Sequence, residues 1–76
     1  MKPEAYEALW LALTTAWARA DKARAIVHTE GVAAHEAGNT PAQHRLEVIH
    51  YQIDRATATL VDAVRLLDNH MKGESK

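Results

Sequence analysis

The chain of 76 residues has no cysteine and no phenylalanine, and its only strong helix breakers are three glycines and two prolines. Without cysteine there is no disulfide scaffold, no thiolate nucleophile and no cysteine-ligated zinc. The only serine, Ser75, lies in the charged C-terminal stretch, so no Ser-His-Asp arrangement is on offer. Neither a glycine-rich phosphate loop nor an HExxH pattern occurs, and His35-Glu36 stands alone. No enzymatic activity, cofactor or metal is expected. Charge of one sign is also lacking: nine Lys+Arg against ten Asp+Glu leave −1, which gives nucleic acid no basic field to meet. The longest uncharged run, Ala8–Ala18, is eleven residues, well short of the roughly 20 that a membrane-spanning helix needs. No signal-peptide pattern is read at the start, so a cytoplasmic protein without membrane partners is expected.

What is present is alanine, leucine and helical periodicity. Pro3 suits the first turn of a helix, where its missing N–H is no loss. The first helix is expected over about 3–37, interrupted only by Gly31, at a cost of about 1 kcal/mol. Gly38 reads as a left-handed C-terminal cap, and 38–40 as the turn. Thr40 with Gln43 reads as a capping box, with Pro41 at the first helical position. The second helix is expected over about 41–71, with a frayed tail at 72–76. Leu46, Ile53, Leu60 and Leu67 recur every seventh residue, and Ala42, Ile49, Ala56, Ala63 and His70 fill the positions three residues on. That is a heptad seam. The first helix carries Tyr6, Leu9, Trp10, Leu13, Ala16, Trp17, Ala20, Val27 and Ala34 as a matching stripe. The fold class is therefore all-α, a single two-helix antiparallel hairpin.

One hairpin has little interior. Ordering 76 residues costs on the order of 115 kcal/mol at about 1.5 kcal/mol each. A compact globule of this mass would recover about 115 kcal/mol by burying roughly 7,600 Å², some 60% of it apolar. A two-helix rod is far from compact. Apolar residues also fall off the main stripe: Leu11, Ala18, Ala25, Val32 and Ile26 on the first helix, Val48, Tyr51 and Leu66 on the second. Exposed patches of this kind mark association surfaces. The expected assembly is a homodimer, or a higher oligomer, closing a four-helix bundle. Its interface is expected to draw on Leu13, Val27, Leu46, Ile49, Ile53, Leu60 and Leu67.

Arg24 breaks the apolar stripe near its centre. Folding the hairpin about Asn39 brings Arg24 to the level of Asp54, and His28 to that of His50. A guanidinium there must find carboxylate, solvent or an anionic ligand. One reading is an ion pair with Asp54 or Asp21 that fixes register; another is a site for a small anion, with Trp17 as a stacking face. His28 and His50, with Glu47 or Asp54, are also the residues a metal would use, though the favoured reading is two half-exposed interface histidines. Trp10 and Trp17, seven apart, are expected in the core; left exposed, they would form an aromatic ridge with Tyr6 for a protein partner. Arg45, Arg55 and Arg65 scatter over about 160° of a helix, which suits solvated charges better than a phosphate track.

In architecture, the Leu46–Leu67 heptads and the Gly38–Pro41 turn make the chain resemble the Rop-type plasmid copy-number repressors. That resemblance covers Pro3 to Met71 in shape and implies a dimeric four-helix bundle with small and large residues layered in its core; members of that group bind paired RNA loops. In size and texture the chain also looks like small phage or mobile-element inhibitors, all-helical homo-oligomers that occlude a host protein or sequester a nucleotide signal. The function expected from the residues is a non-enzymatic, homo-oligomeric module that regulates or inhibits a host or regulatory protein, with a binder of a small anionic, nucleotide-like ligand at the oligomer interface as the alternative and a Rop-like RNA-binding hairpin third.

Overall fold

The computed structural model describes residues 1–74, which form two long helices: α1, Pro3–Glu36, and α2, Thr40–Glu74. Lys2 caps α1 with its backbone, its carbonyl accepting from the Tyr6 amide at 3.0 Å, and Pro3 takes the first helical position. The far end of α1 is closed by a left-handed glycine. Gly38 has φ +70°, its amide donates to the His35 carbonyl, and the Asn39 amide reaches back to Ala34 at 2.9 Å. This paired arrangement satisfies carbonyls that the helix end leaves without partners.

The start of α2 corrects the expected capping box. Asn39, one residue earlier than Thr40, is the N-cap: its Oδ1 accepts from the Ala42 amide at 3.2 Å, and its carbonyl from Gln43 at 3.0 Å. Asparagine is among the strongest N-caps, and its short side chain reaches the third amide without help from Thr40. Gln43 is thereby released to pair with His35 Nδ1 at 3.3 Å and to donate to Glu47 at 3.4 Å. The frayed tail is also shorter than expected. Residues 72–74 continue the helix through Gly73, because one glycine costs only about 1 kcal/mol against an established helix. Ser75 and Lys76 lie outside the described residues.

The helices run antiparallel, as the cross-helix pairs Tyr6–Asp68, Arg24–Asp54 and His35–Gln43 require. The seam between them uses Leu46, Ile53, Leu60 and Leu67 as expected, but the second row is His50, Thr57, Val64 and Met71, four residues on rather than three. Both spacings are neighbours on an α-helix. The hairpin has rotated toward the i+4 row, leaving Ile49, Ala56 and His70 exposed, with Ala42 and Ala63 only half-buried. Leu13, Ala20, Val27 and Ala34 supply the α1 side.

Very little of this is interior. Among the described residues only Leu67 and Thr57 are buried, at 7% and 9% exposure. Thr57 satisfies its hydroxyl by donating to the Ile53 carbonyl at 2.9 Å. The molecule is a rod of 57 × 16 × 11 Å with a radius of gyration of 17.2 Å, against about 11 Å for a compact chain of this length. It exposes 5766 Å², where a compact monomer of its mass would expose roughly 4,600 Å². No helix among the described residues is long and apolar enough to cross a membrane.

Candidate functional site

At about 100° per residue, the seam divides the surface of the rod into two faces of different chemistry. The first carries the polar contacts just named, together with Trp10, Trp17, Asp21 and His28 from α1 and Glu47, Val61, Arg65 and Lys72 from α2. Three open hollows run along it. Near the turn, one of about 500 Å³ is lined by residues that include Val27, His28, Val32, Leu46, Glu47 and His50. In the middle, Asp21, Arg24, Ala25, His28, His50 and Asp54 surround the second. At the open end, Thr14, Trp17, Val61, Val64, Arg65 and Lys72 line a third of about 460 Å³, with Asp68 and Asn69.

The middle cluster gathers the residues the sequence singled out. Arg24 donates through Nη2 to Asp21 Oδ1 one helical turn away, and its Nη1 lies 3.6 Å from Asp54 Oδ1 across the seam. Asp54 Oδ2 sits 3.4 Å from His50 Nδ1. Asp54 Oδ1 is shielded from solvent and accepts no hydrogen bond; at 3.6 Å the guanidinium offers it charge without a bond. With two carboxylates on one guanidinium, the cluster has no surplus positive charge for an anion. This supports the ion-pair, register-setting reading of Arg24 over the ligand reading. The groups remain more than a third exposed, so the pair contributes at most about 1 kcal/mol. His28 borders the hollow from the exposed side. No group of three or more His, Asp or Glu among the described residues is placed to hold a metal ion.

Of the aromatic ridge, the structure keeps two members outside and draws in the third. Trp10 and Trp17 are 42% and 43% exposed, so in a single hairpin they are not core. Tyr6 is half-buried, and its hydroxyl donates to Asp68 Oδ1 at 2.8 Å, clasping the open end of the hairpin. That hydrogen bond holds the phenol above its ordinary value of 10.0, with partial burial and the nearby carboxylate charge adding to the effect. Leu13, Val27, Leu46, Ile53, Leu60 and Leu67 face the partner helix, while Ile49 is exposed on the other side of the seam. Arg65 is paired with Asp62 at 2.6 Å, and Arg55 lies 6.0 Å from the Tyr51 ring.

Sequence reasoning missed Asp68, Val61 and Val64. Each follows from the i+4 row: once Val64 is on the seam, Val61 and Asp68 fall beside it and meet Trp17 and Tyr6. The available signal was the threonine at 57, which fits a tight seam as well as Ala56 does.

The opposite face is plain by comparison. Leu9, Ala16 and Ala23 of α1 and Ala42, Ile49, Ala56 and Ala63 of α2 lie there, with Ile26 and Leu66 farther out. Glu30 continues the Leu9–Ala16–Ala23 row toward the turn and His70 the Ala56–Ala63 row at the open end, while Arg19 and Arg45 border the face. In comparisons with known proteins, no family model, no curated protein and no solved structure matches this chain.

Proposed function

We propose that the chain is a non-enzymatic, cytoplasmic binding module that works as a homodimer, closes a four-helix bundle with its second copy, and regulates or inhibits a partner protein. The observation that carries this is area. A single hairpin leaves about 1,150 Å² more surface exposed than a compact monomer of its mass would. Burying that excess on each of two copies gives a total near 2,300 Å², within the range of permanent homodimers.

The partner-binding half of the reading rests on Trp17 and Val61, exposed in one hollow with Arg65 and Lys72, and on Trp10, exposed seven residues before Trp17. Tryptophan and arginine carry a disproportionate share of binding energy at protein interfaces. A small anion at Arg24 is disfavoured by the paired carboxylates. Paired RNA is disfavoured because Arg55 and Arg65 already have neighbours and no basic stripe forms. The test is capture from a host lysate with wild type and a Trp10→Ala/Trp17→Ala variant in parallel, followed by titration of the purified partner. The reading expects the double variant to bind the partner at least about tenfold more weakly; equal binding would refute the tryptophan surface, and binding that falls steeply with added salt would indicate nucleic acid instead.

A further inference from the structure

The dimer has two faces to choose from, and they differ in what burial would cost. On the polar face, self-association would take Arg24, Asp21 and Asp54 out of water. Arg24 already shares its charge between two carboxylates, and Asp54 Oδ1 is already without a hydrogen bond. Further desolvation of such groups is repaid only by excellent new geometry. On the plain face, what would be buried is mostly alanine, Leu9 and Ile49, with Glu30 toward the turn and His70 at the open end of the same rows and Arg19 and Arg45 at the border.

We infer that the plain face, centred on Ala16, Ala23, Ala56 and Ala63 and flanked by Leu9 and Ile49, is the self-association surface, and that its occupant is a second copy of this chain. The inference rests on the homodimer proposed above and adds which side closes. Three observations support it. The excess area is of the size a stable dimer buries on each copy. Leu9 and Ile49 are 41% and 47% exposed at opposite ends of the face, with the smaller alanines between them. A two-fold axis through the middle sets the Leu9 end of one copy on the Ile49 end of the other, so large residues at the ends enclose small ones at the centre. Finally, Arg19 and Arg45 at the border, with Glu30 and His70 toward the two ends, would form the polar rim that such interfaces have.

The consequence for function is geometric. With the plain faces joined, both polar faces point outward on opposite sides of the bundle. Each dimer then presents two identical copies of the Trp17–Val61 hollow, leaving them open to a partner.

The experiment pairs two charge insertions at exposed helical positions, one on each face. Ala56→Glu lies on the plain face and Val61→Glu on the polar one; both residues are solvent-exposed in the single hairpin, and glutamate is a good helix former, so neither change strains the hairpin itself. Sedimentation equilibrium of wild type and both variants reads the dissociation constant. Because the symmetry duplicates each substitution, Ala56→Glu is expected to weaken the dimer about 100-fold or more. Val61→Glu should leave it within about threefold of wild type. A wild-type monomer would overturn the homodimer itself. Dissociation by Val61→Glu instead, or by both variants or neither, would overturn the choice of face while leaving the dimer standing. The absence of native cysteine allows a second measurement that does not depend on disruption. Single-cysteine Ala56→Cys chains are expected to cross-link more readily than Val61→Cys chains, and the reverse order would overturn the assignment.

Discussion

The polar face holds the hairpin's cross-helix polar contacts, whereas the plain face contributes to the hairpin mainly the half-buried Ala16, Ala23, Ala42 and Ala63. Tyr6–Asp68, Arg24–Asp54 and His35–Gln43 cross the seam at its open end, middle and turn, all on the same side. Together they set the level at which the two helices meet. Each is individually weak, because exposed pairs exchange little free energy with water. Spaced along the rod, they act as register marks on a seam whose leucines would tolerate a slip of one heptad. The plain face is made largely of alanine. Alanine there contributes small area and close approach, which are useful when another helix layer covers it and of little value when water does. One face carries the polar contacts that set how the chain folds on itself, and the other is the face proposed above for association.

The largest test of this division strikes the seam that both faces share. Leu67→Ala removes the most buried apolar side chain, and an unfolding midpoint in urea should fall by the equivalent of about 3 kcal/mol. A loss below about 1 kcal/mol would mean that the seam is not where the stability lies. Next comes the turn. Asn39→Ala should cost about 1 kcal/mol by removing the cap on α2, while Thr40→Ala, at the position that does not cap, should cost clearly less. Equal losses would return the cap to Thr40.

How far the fold was legible depends on which rule was asked. The two helices, Pro3 at the start and Gly38 at the turn follow from single-residue stereochemistry, and the sequence states them without ambiguity. The seam's second row did not follow, because a residue three or four positions on from each leucine is an equally good neighbour; Ala56 and Thr57 are both small, and the threonine's hydroxyl bonds its own helix. The Arg24–Asp54 and His28–His50 levels came from counting about the turn and held near it. Counting failed at the open end, where Tyr6 meets Asp68 one turn short of the position an even fold would give. The residues of the middle cluster were therefore readable, whereas the Trp17–Val61 hollow was not.

Two smaller effects sharpen the polar side. A double-mutant cycle on Arg24→Ala and Asp54→Ala should give a coupling below about 1 kcal/mol that shrinks in high salt. A coupling of about 3 kcal/mol, insensitive to salt, would mean that the cluster is buried in the assembled protein and that the polar face, not the plain one, is covered. The smallest effect is confined to alkaline solution. The Tyr6 phenol is held above its ordinary value in the folded chain. Its contribution is therefore complete below the unfolded value of about 10 and is lost as pH rises through the folded one. Thermal melts of wild type should lose stability over that alkaline range, and Tyr6→Phe should flatten the loss. An identical alkaline decline in the variant would show that the clasp to Asp68 is not formed.

The claim beneath both faces is that a lone hairpin does not bury enough to stand. Sedimentation equilibrium of the wild-type chain at micromolar concentration, read alongside a thermal melt of the same sample, tests it most directly. A species near 17 kDa, twice the 8.4 kDa of one chain, whose melting temperature rises with concentration, is the expected result. A species of 8.4 kDa that still melts cooperatively, at a temperature independent of dilution, would contradict it.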